Sequence, residues 1–387
     1  MNNFPTWVEI DLDAFRWNLR WIREKVADAN ILLVVKADAY GHGAVRISRF
    51  AVECGVDMLG VATVDEGVQL RKSGIRAPIL VLSPILEDEL PKLIENELSA
   101  SVSTVSFAES AAALAGRRGK VCRAHIEIDT GMGRAGLPCS SALEDVTRIC
   151  ALENLEAEGI FTHFPAADSD EDYTVEQIGI FTDMVDQLSS RGIDFHYVHA
   201  ANSAAIINFP SSHFNMVRPG LSIYGHTASI GLKDRVNLAP VMSFKSRLLL
   251  VRELPAGSSI SYGRTYITEK PMTVGTIAVG YGHGVCHRLS NTGEVLFRQK
   301  RVPIIGRVTM DMTMVDLTGF DNPAVGEEVV LFGRQADELI SVDEVAQWDG
   351  TLNYEVLTRI SKRVVRVYIK SGKVDTLKTL YSVKENP

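Results

Sequence analysis

The chain is poor in the features that mark several broad protein classes. Its five cysteines (Cys54, Cys122, Cys139, Cys150 and Cys286) are odd in number and form no CxxC pair, which argues against a disulfide framework or a zinc centre and for reduced thiols. Positive charge is in deficit: 40 Lys and Arg against 48 Asp and Glu leave a formal charge of -8. That balance argues against nucleic acid or an anionic membrane as the principal partner, because such binding needs a basic face. No apolar run approaches the roughly 18 residues of a membrane span, and the opening Met-Asn-Asn-Phe-Pro carries no basic segment followed by an apolar core, so a cytoplasmic location is expected. There is no internal repeat and no low-complexity segment. What is present is 387 residues, 46% of them hydrophobic, enough for two domains, with small metabolites as the default partners.

Local patterning divides the chain. From Asp11 to about Ala27, Phe15, Leu19, Trp21, Ile22 and Val26 follow helical spacing, with Asp11 or Asp13 as N-cap. Short apolar strands then alternate with helical stretches, near 31–36, 58–62, 79–83, 99–103, 122–128, 156–162, 195–199 and 215–218. Helices over Asp65–Ser73, Ser106–Ala115 and Glu171–Ser190 each stop ahead of a glycine. Eight strands separated by helices predict a closed parallel (β/α)8 barrel, with an open doubly wound sheet as the alternative. From about Lys233 the texture turns to β-branched and alternating runs, near 243–253, 257–262, 273–279, 301–308, 311–316, 327–332 and 363–369, with one short helix near Val342–Trp348. The predicted division is a barrel over 1–233 and a mainly β domain over 234–387, joined near 230–238 without a Pro/Ser-rich spacer.

Lys36 closes the apolar run Ile31-Leu32-Leu33-Val34-Val35. An amine at the end of a buried strand loses hydration of its charged form, so it holds its proton less tightly and can form an imine with an aldehyde. The alternative is a strand-end lysine reaching to solvent. On the fifth predicted strand His125, Glu127 and Asp129 alternate with Ile126 and Ile128, which puts the polar three on one face, directed into the barrel.

The string VVKADAYGHG around Lys36 resembles the cofactor-lysine motif of alanine racemases, fold-type III enzymes that use pyridoxal 5'-phosphate (PLP). DTGMGRAG (Asp129–Gly136), THF (Thr162–Phe164), HAANSAA (His199–Ala205), MVRPG (Met216–Gly220), SYGRTY (Ser261–Tyr266), GRVTMD (Gly306–Asp311) and NYEVLTRI (Asn353–Ile360) resemble that family too, and in its order. Chance collinearity of eight such strings is negligible. On a barrel, these motifs put Lys36, Arg134, His163, Ser203 and Arg218 at one rim, where catalytic groups of this architecture gather.

The resemblance implies racemisation of alanine by two bases, Lys36 and Tyr262 of a second copy, hence a homodimer with shared active sites. A phenol acting as a base near neutral pH needs a cationic neighbour. The resemblance also implies that Arg218 faces the pyridine nitrogen, where a guanidinium donates a hydrogen bond without giving up a proton, favouring racemisation over transamination. Tyr40 and His163 are expected beside the ring and phosphate. Ser203 and the Gly220-Leu221 backbone are expected at the phosphate, together with Tyr354, and His199 as an orienting residue. Arg134 is expected on the cofactor's phenolic oxygen and the substrate carboxylate, Met310 and Asp311 near that carboxylate. Many family members carry a carboxylated lysine where Glu127 stands; here Glu127 should hold Arg134 in a bidentate pair. Thr309 replaces a common cysteine, and Pro165 and the loop Gly280–Arg288 are atypical. The readings left open are a serine or broader racemase, a fold-type III decarboxylase of ornithine or diaminopimelate, a PLP carrier without catalysis, and supply of D-alanine for a cell wall against breakdown of L-alanine.

Overall fold

A computed structural model of the chain describes residues 4–380 and 383–385. It forms two compact units. The first, Arg16–Ala39 with Ala44–Ala239, is a closed barrel. Its strands are β1 (Asn30–Val34), β2 (Met58–Val61), β3 (Ile79–Val81), β4 (Ser99–Val102), β5 (Cys122–Asp129), β6 (Leu155–Phe161), β7 (Tyr197–His199) and β8 (Met216–Val217). Neighbours pair in parallel around the ring, β8 returning to β1 and β4 meeting β5. Parallel strands wrapped by helices are apolar on both faces, so they read as unbroken apolar runs; Ile31, Leu32 and Leu33 have no exposed surface.

The helices start where side chains can satisfy their orphan N–H groups. Thr63 accepts from the Glu66 amide while Glu66 reaches back to the Thr63 amide, Thr104 caps Val105–Arg117, and Asp170 caps Glu171–Ser190. The expected helix from Asp11 is Leu12–Val26.

The second unit holds the chain up to Phe15, the segment Tyr40–Gly43, and everything from Pro240 onward. In this division the β unit begins at Pro240, near the expected boundary after residue 233, and also takes in the N-terminal segment. The unexpected N-terminal strand Thr6–Asp11 pairs antiparallel with Met242–Leu254 and parallel with Val365–Lys370, which enrols it in the β unit. An 11-stranded sheet grows around Met242–Leu254. Arg366, 2% exposed, binds Tyr40–Gly43 into this unit by donating to the Gly41 carbonyl at 3.1 Å, alongside the Ile360, Ser361 and Val364 carbonyls. Gly43 is obligatory, because φ is +93° and a Cβ would lie 1.9 Å from the Tyr368 hydroxyl. The expected strand over 301–308 ends at Pro303, and a hairpin partner, Glu294–Phe297, precedes it. The helix Val342–Asp349 opens on a capping box at Ser341, and a second helix, Asn353–Thr358, follows.

Candidate active site

Lys36 emerges two residues past the end of β1, directly after the buried Val35, and is half-buried. The backbone that follows is strained: Ala37, Asp38 and Ala39 all take left-handed dihedrals near φ +53° to +55°, each costing about 1–2 kcal/mol for a non-glycine residue. Local bonds hold the turn. The Ala37 amide donates to Glu66 Oε1 at 2.7 Å, the Ala39 amide to the Val35 carbonyl at 2.9 Å, and the Ala44 amide to Asp38 Oδ1 at 2.8 Å. Strain that the surroundings over-determine is a mark of functional sites. Burial lowers the Lys36 amine's affinity for its proton, the Arg134 guanidinium lowers it further, and Glu66 opposes both.

Arg218 follows β8 directly and is the hub of the rim. It is 4% exposed and donates to the Thr162 carbonyl (2.8 Å), the Ala200 carbonyl (2.9 Å), His199 Nδ1 (2.8 Å) and His163 Nδ1 (3.2 Å). Burial pulls it down to about 10, Glu127 opposing and Arg134 reinforcing, so it stays cationic at neutral pH. His163 is driven well below the usual imidazole range by burial, then by Arg218, Arg134 and Lys36. That list of perturbers brings four of the predicted rim residues together. His199, at the end of β7 and fully buried, is lowered by burial and then by Arg218 and His125.

The loop after β5 is organised by Asp129, whose carboxylate accepts the Gly131 amide at 3.0 Å and the Gly133 amide at 3.0 and 3.1 Å. Arg134 sits exposed on that loop. The expected bidentate pair with Glu127 is not formed. Among the described residues Arg134 has no hydrogen bond or ion pair, and Glu127, 3% exposed, accepts one bond, from Ser103 Oγ at 3.3 Å. Burial raises the Glu127 carboxyl; Arg134 and then Arg218 are the charges that oppose it. Coupling between Glu127 and Arg134 is therefore through space. The reading of Glu127 as a clamp on Arg134 has no geometric support.

After β7, Asn202 caps Ser203–Asn208. Ser203 Oγ accepts the Gly220 amide at 2.9 Å and the Ser222 amide at 3.2 Å. Gly220 and Leu221 are buried beside it. This gathers one hydroxyl and backbone N–H groups from the loops following β7 and β8, the donor set a phosphate uses.

The β unit carries the remaining predicted residues. Tyr40, 7% exposed, and Tyr354 have ring centroids 6.1 Å apart, and burial followed by Tyr354 raises the Tyr40 phenol. Tyr262 is 73% exposed on a turn where Ser261 takes φ +62°, ψ -172°, with Ser261 Oγ donating to the Arg307 carbonyl at 2.7 Å. Met310 is exposed, and Asp311 pairs with Arg363 at 2.7 Å.

Sequence reasoning missed Glu66 and Glu158. The first was legible as the Thr63-x-x-Glu66 capping box; the second had no local signal. Among the described residues no group of His, Cys, Asp or Glu is placed to hold a metal ion, and no helix is long and apolar enough to cross a membrane.

Comparison with known proteins finds similarity along most of the chain. Residues 10–228 match the family model "Alanine racemase, N-terminal domain" and 241–368 match "Alanine racemase, C-terminal domain". An alanine racemase of Methanococcus maripaludis is 42% identical over 95% of this chain and 100% of its own length. Alanine racemase 2 of Caldanaerobacter subterraneus subsp. tengcongensis is 41% identical over 98% of each. Among solved structures, alanine racemase of Clostridium difficile 630 superposes with a TM-score of 0.94 at 35% identity, covering 99% of this chain and 100% of that one. The Bacillus anthracis enzyme with bound L-Ala-P gives 0.92 at 37%, covering 98% and 99%. The chain belongs to the alanine racemase family.

Proposed function

We propose that this chain interconverts L- and D-alanine with PLP as cofactor, using Lys36 on one face of the substrate and Tyr262 of the partner subunit on the other. PLP is the cofactor of the family to which the chain belongs. The residues present suit it: an amine partly stripped of its hydration, a phosphate-type donor set at Ser203, Gly220 and Leu221, and a cationic hub at Arg218. When bound, PLP supplies the aldehyde that joins an amino group and a conjugated ring that withdraws electrons from the Cα–H bond.

The chain supplies the rest. Lys36, its amine favoured in the neutral form by burial and by Arg134, anchors the cofactor and carries a proton on one face. Arg134 offers its unengaged fork to the substrate carboxylate. Arg218 engages its four acceptors through Nη1 and Nη2, which leaves its Nε–H to give the ring nitrogen a hydrogen bond, and a guanidinium gives up no proton in doing so. That leaves the ring a mild electron sink, suited to exchange of the Cα proton. His163 is neutral with Nδ1 occupied by Arg218, and Tyr40 and Tyr354, paired ring to ring, are assigned to the cofactor. Met310 and Asp311 are assigned to the substrate's carboxylate end.

A homodimer is the assembly this reading requires; Lys36 lying in the barrel unit and the exposed Tyr262 in the β unit are compatible with it. We assign the protein to the cytoplasm and to D-alanine supply for a cell wall. The observation that carries the reading is the half-buried, deprotonation-prone Lys36 amine, electrostatically coupled to Arg134, on a barrel that the family model matches over residues 10–228. Mixing Lys36→Ala chains with Tyr262→Phe chains tests it. Each parent should be nearly inactive, whereas random exchange of subunits should restore about a quarter of wild-type activity, because half the dimers then contain one intact site. Failure to recover any activity after verified exchange would rule out shared sites.

A further inference from the structure

Beneath the rim, β6 departs from the regular ladder. Ala124 pairs with Ala157 but His125 pairs with Gly159, so Glu158 is an extra residue at a bulge, a device that re-aims a side chain. Its carboxylate Oε1 lies 3.3 Å from His125 Nε2 and 2.5 Å from Ser99 Oγ. His125 Nδ1 lies 2.8 Å from His199 Nε2, and His199 Nδ1 lies 2.8 Å from Arg218 Nη1. His125 and His199 have no exposed surface. Gly159 makes the seat for the first ring, since a Cβ there would sit 2.3 Å from His125 Nδ1.

The direction of this chain is determined. A guanidinium only donates, so His199 Nδ1 must accept, and the neutral ring carries its proton on Nε2. That N–H donates to His125 Nδ1, which leaves the His125 proton on Nε2, directed at Glu158. We propose that His125 and Glu158 are positioning residues for the racemase reaction: a one-way relay from mid-strand, beneath the rim, fixes the His199 tautomer, and through it the orientation of the Arg218 guanidinium. Without that relay His199 could rotate its tautomer, present an N–H to Arg218 and push the guanidinium aside. Burial lowers His125 and His199, keeping both neutral; on His125 the Glu158 carboxylate pulls the other way and Arg218 adds to burial.

The effect on turnover rests on the placement of Arg218 at the ring proposed above; the tautomer does not. Solid-state 15N NMR of histidine-labelled holoenzyme should show His125 and His199 each as a single Nε2–H tautomer at pH 7. In His125→Leu the His199 signal should become mixed, with kcat down about tenfold and KM changed far less. His125→Gln, whose amide keeps one acceptor and one donor, should recover most of both. Should the leucine variant not fold, Glu158→Gln, which keeps an acceptor but removes the charge, should retain the single tautomer, and Glu158→Leu should lose it. A His199 proton found on Nδ1, or a tautomer unmoved in His125→Leu and Glu158→Leu, would overturn the relay. An altered tautomer with unaltered kcat would overturn its link to turnover while leaving the racemase assignment, tested by labelling of Lys36, intact.

Discussion

Substituting Gly159 with alanine probes the packing beneath the rim most sharply. The added methyl would lie 2.3 Å from His125 Nδ1, 2.7 Å from Cε1 and 2.8 Å from Cγ. The ring cannot retreat: it stacks on Tyr197 at a centroid distance of 5.6 Å, meets His199 edge-on at 5.0 Å, and is fully buried. Overpacking of this kind costs about 1–3 kcal/mol. Displacing the ring also breaks its bond to His199 in a dry interior, adding about 1–3 kcal/mol. The expected loss is therefore about 2–6 kcal/mol, read from urea unfolding of Gly159→Ala at fixed protomer concentration. Gly179→Ala is the control: it lies on the exposed face of Glu171–Ser190 with nothing within 4 Å of a new Cβ, and should gain up to about 1 kcal/mol. Adding His125→Ala to the glycine variant should make the pair less destabilised than the sum of its parts, because the smaller side chain vacates the clash. A loss below about 0.5 kcal/mol for Gly159→Ala, or strict additivity in the pair, would refute the packing argument.

Three further outcomes are expected. Because His125, His163 and His199 are all depressed below their unfolded value near 6.5, the unfolded chain binds more protons below that pH. Stability should then be level from pH 7 to 8 and fall by up to about 1.4 kcal/mol per pH unit for each histidine on acidification from 6.5. Glu127, raised by burial, opposes this in part; a urea midpoint constant down to pH 5 would contradict the neutral cluster. Arg218→Lys should destabilise by about 2–4 kcal/mol, because three ammonium donors cannot serve the Thr162 and Ala200 carbonyls and two imidazoles at once; thermal unfolding reads it. In Tyr262→Phe, solvent deuterium should enter one enantiomer of alanine far more slowly than the other, and equal slowing would remove the assignment of the two bases to opposite faces.

Much of this was legible in the sequence because it is local. The barrel strands are apolar runs of a few residues between capped helices, and each rim residue sits just past such a run. The N-terminal strand Thr6–Asp11 was not legible, because the pairs that define it, such as Thr6 with Ser246 and Trp7 with Val365, lie more than two hundred residues away. The hairpin Glu294–Phe297 with Lys300–Pro303 was hidden for another reason. Its two-residue turn is Arg298-Gln299, both at positive φ, without the Asn-Gly signal such turns normally show. Strand alternation could not supply the bulge that aims Glu158, nor reveal that Glu127 stands off from Arg134.

The central claim is that Lys36 carries the cofactor. Borohydride added to the holoenzyme, followed by proteolysis and mass analysis, should place a reduced pyridoxyl group on Lys36 and abolish racemisation of alanine. A label on any other lysine, or activity that survives complete labelling of Lys36, would contradict the account.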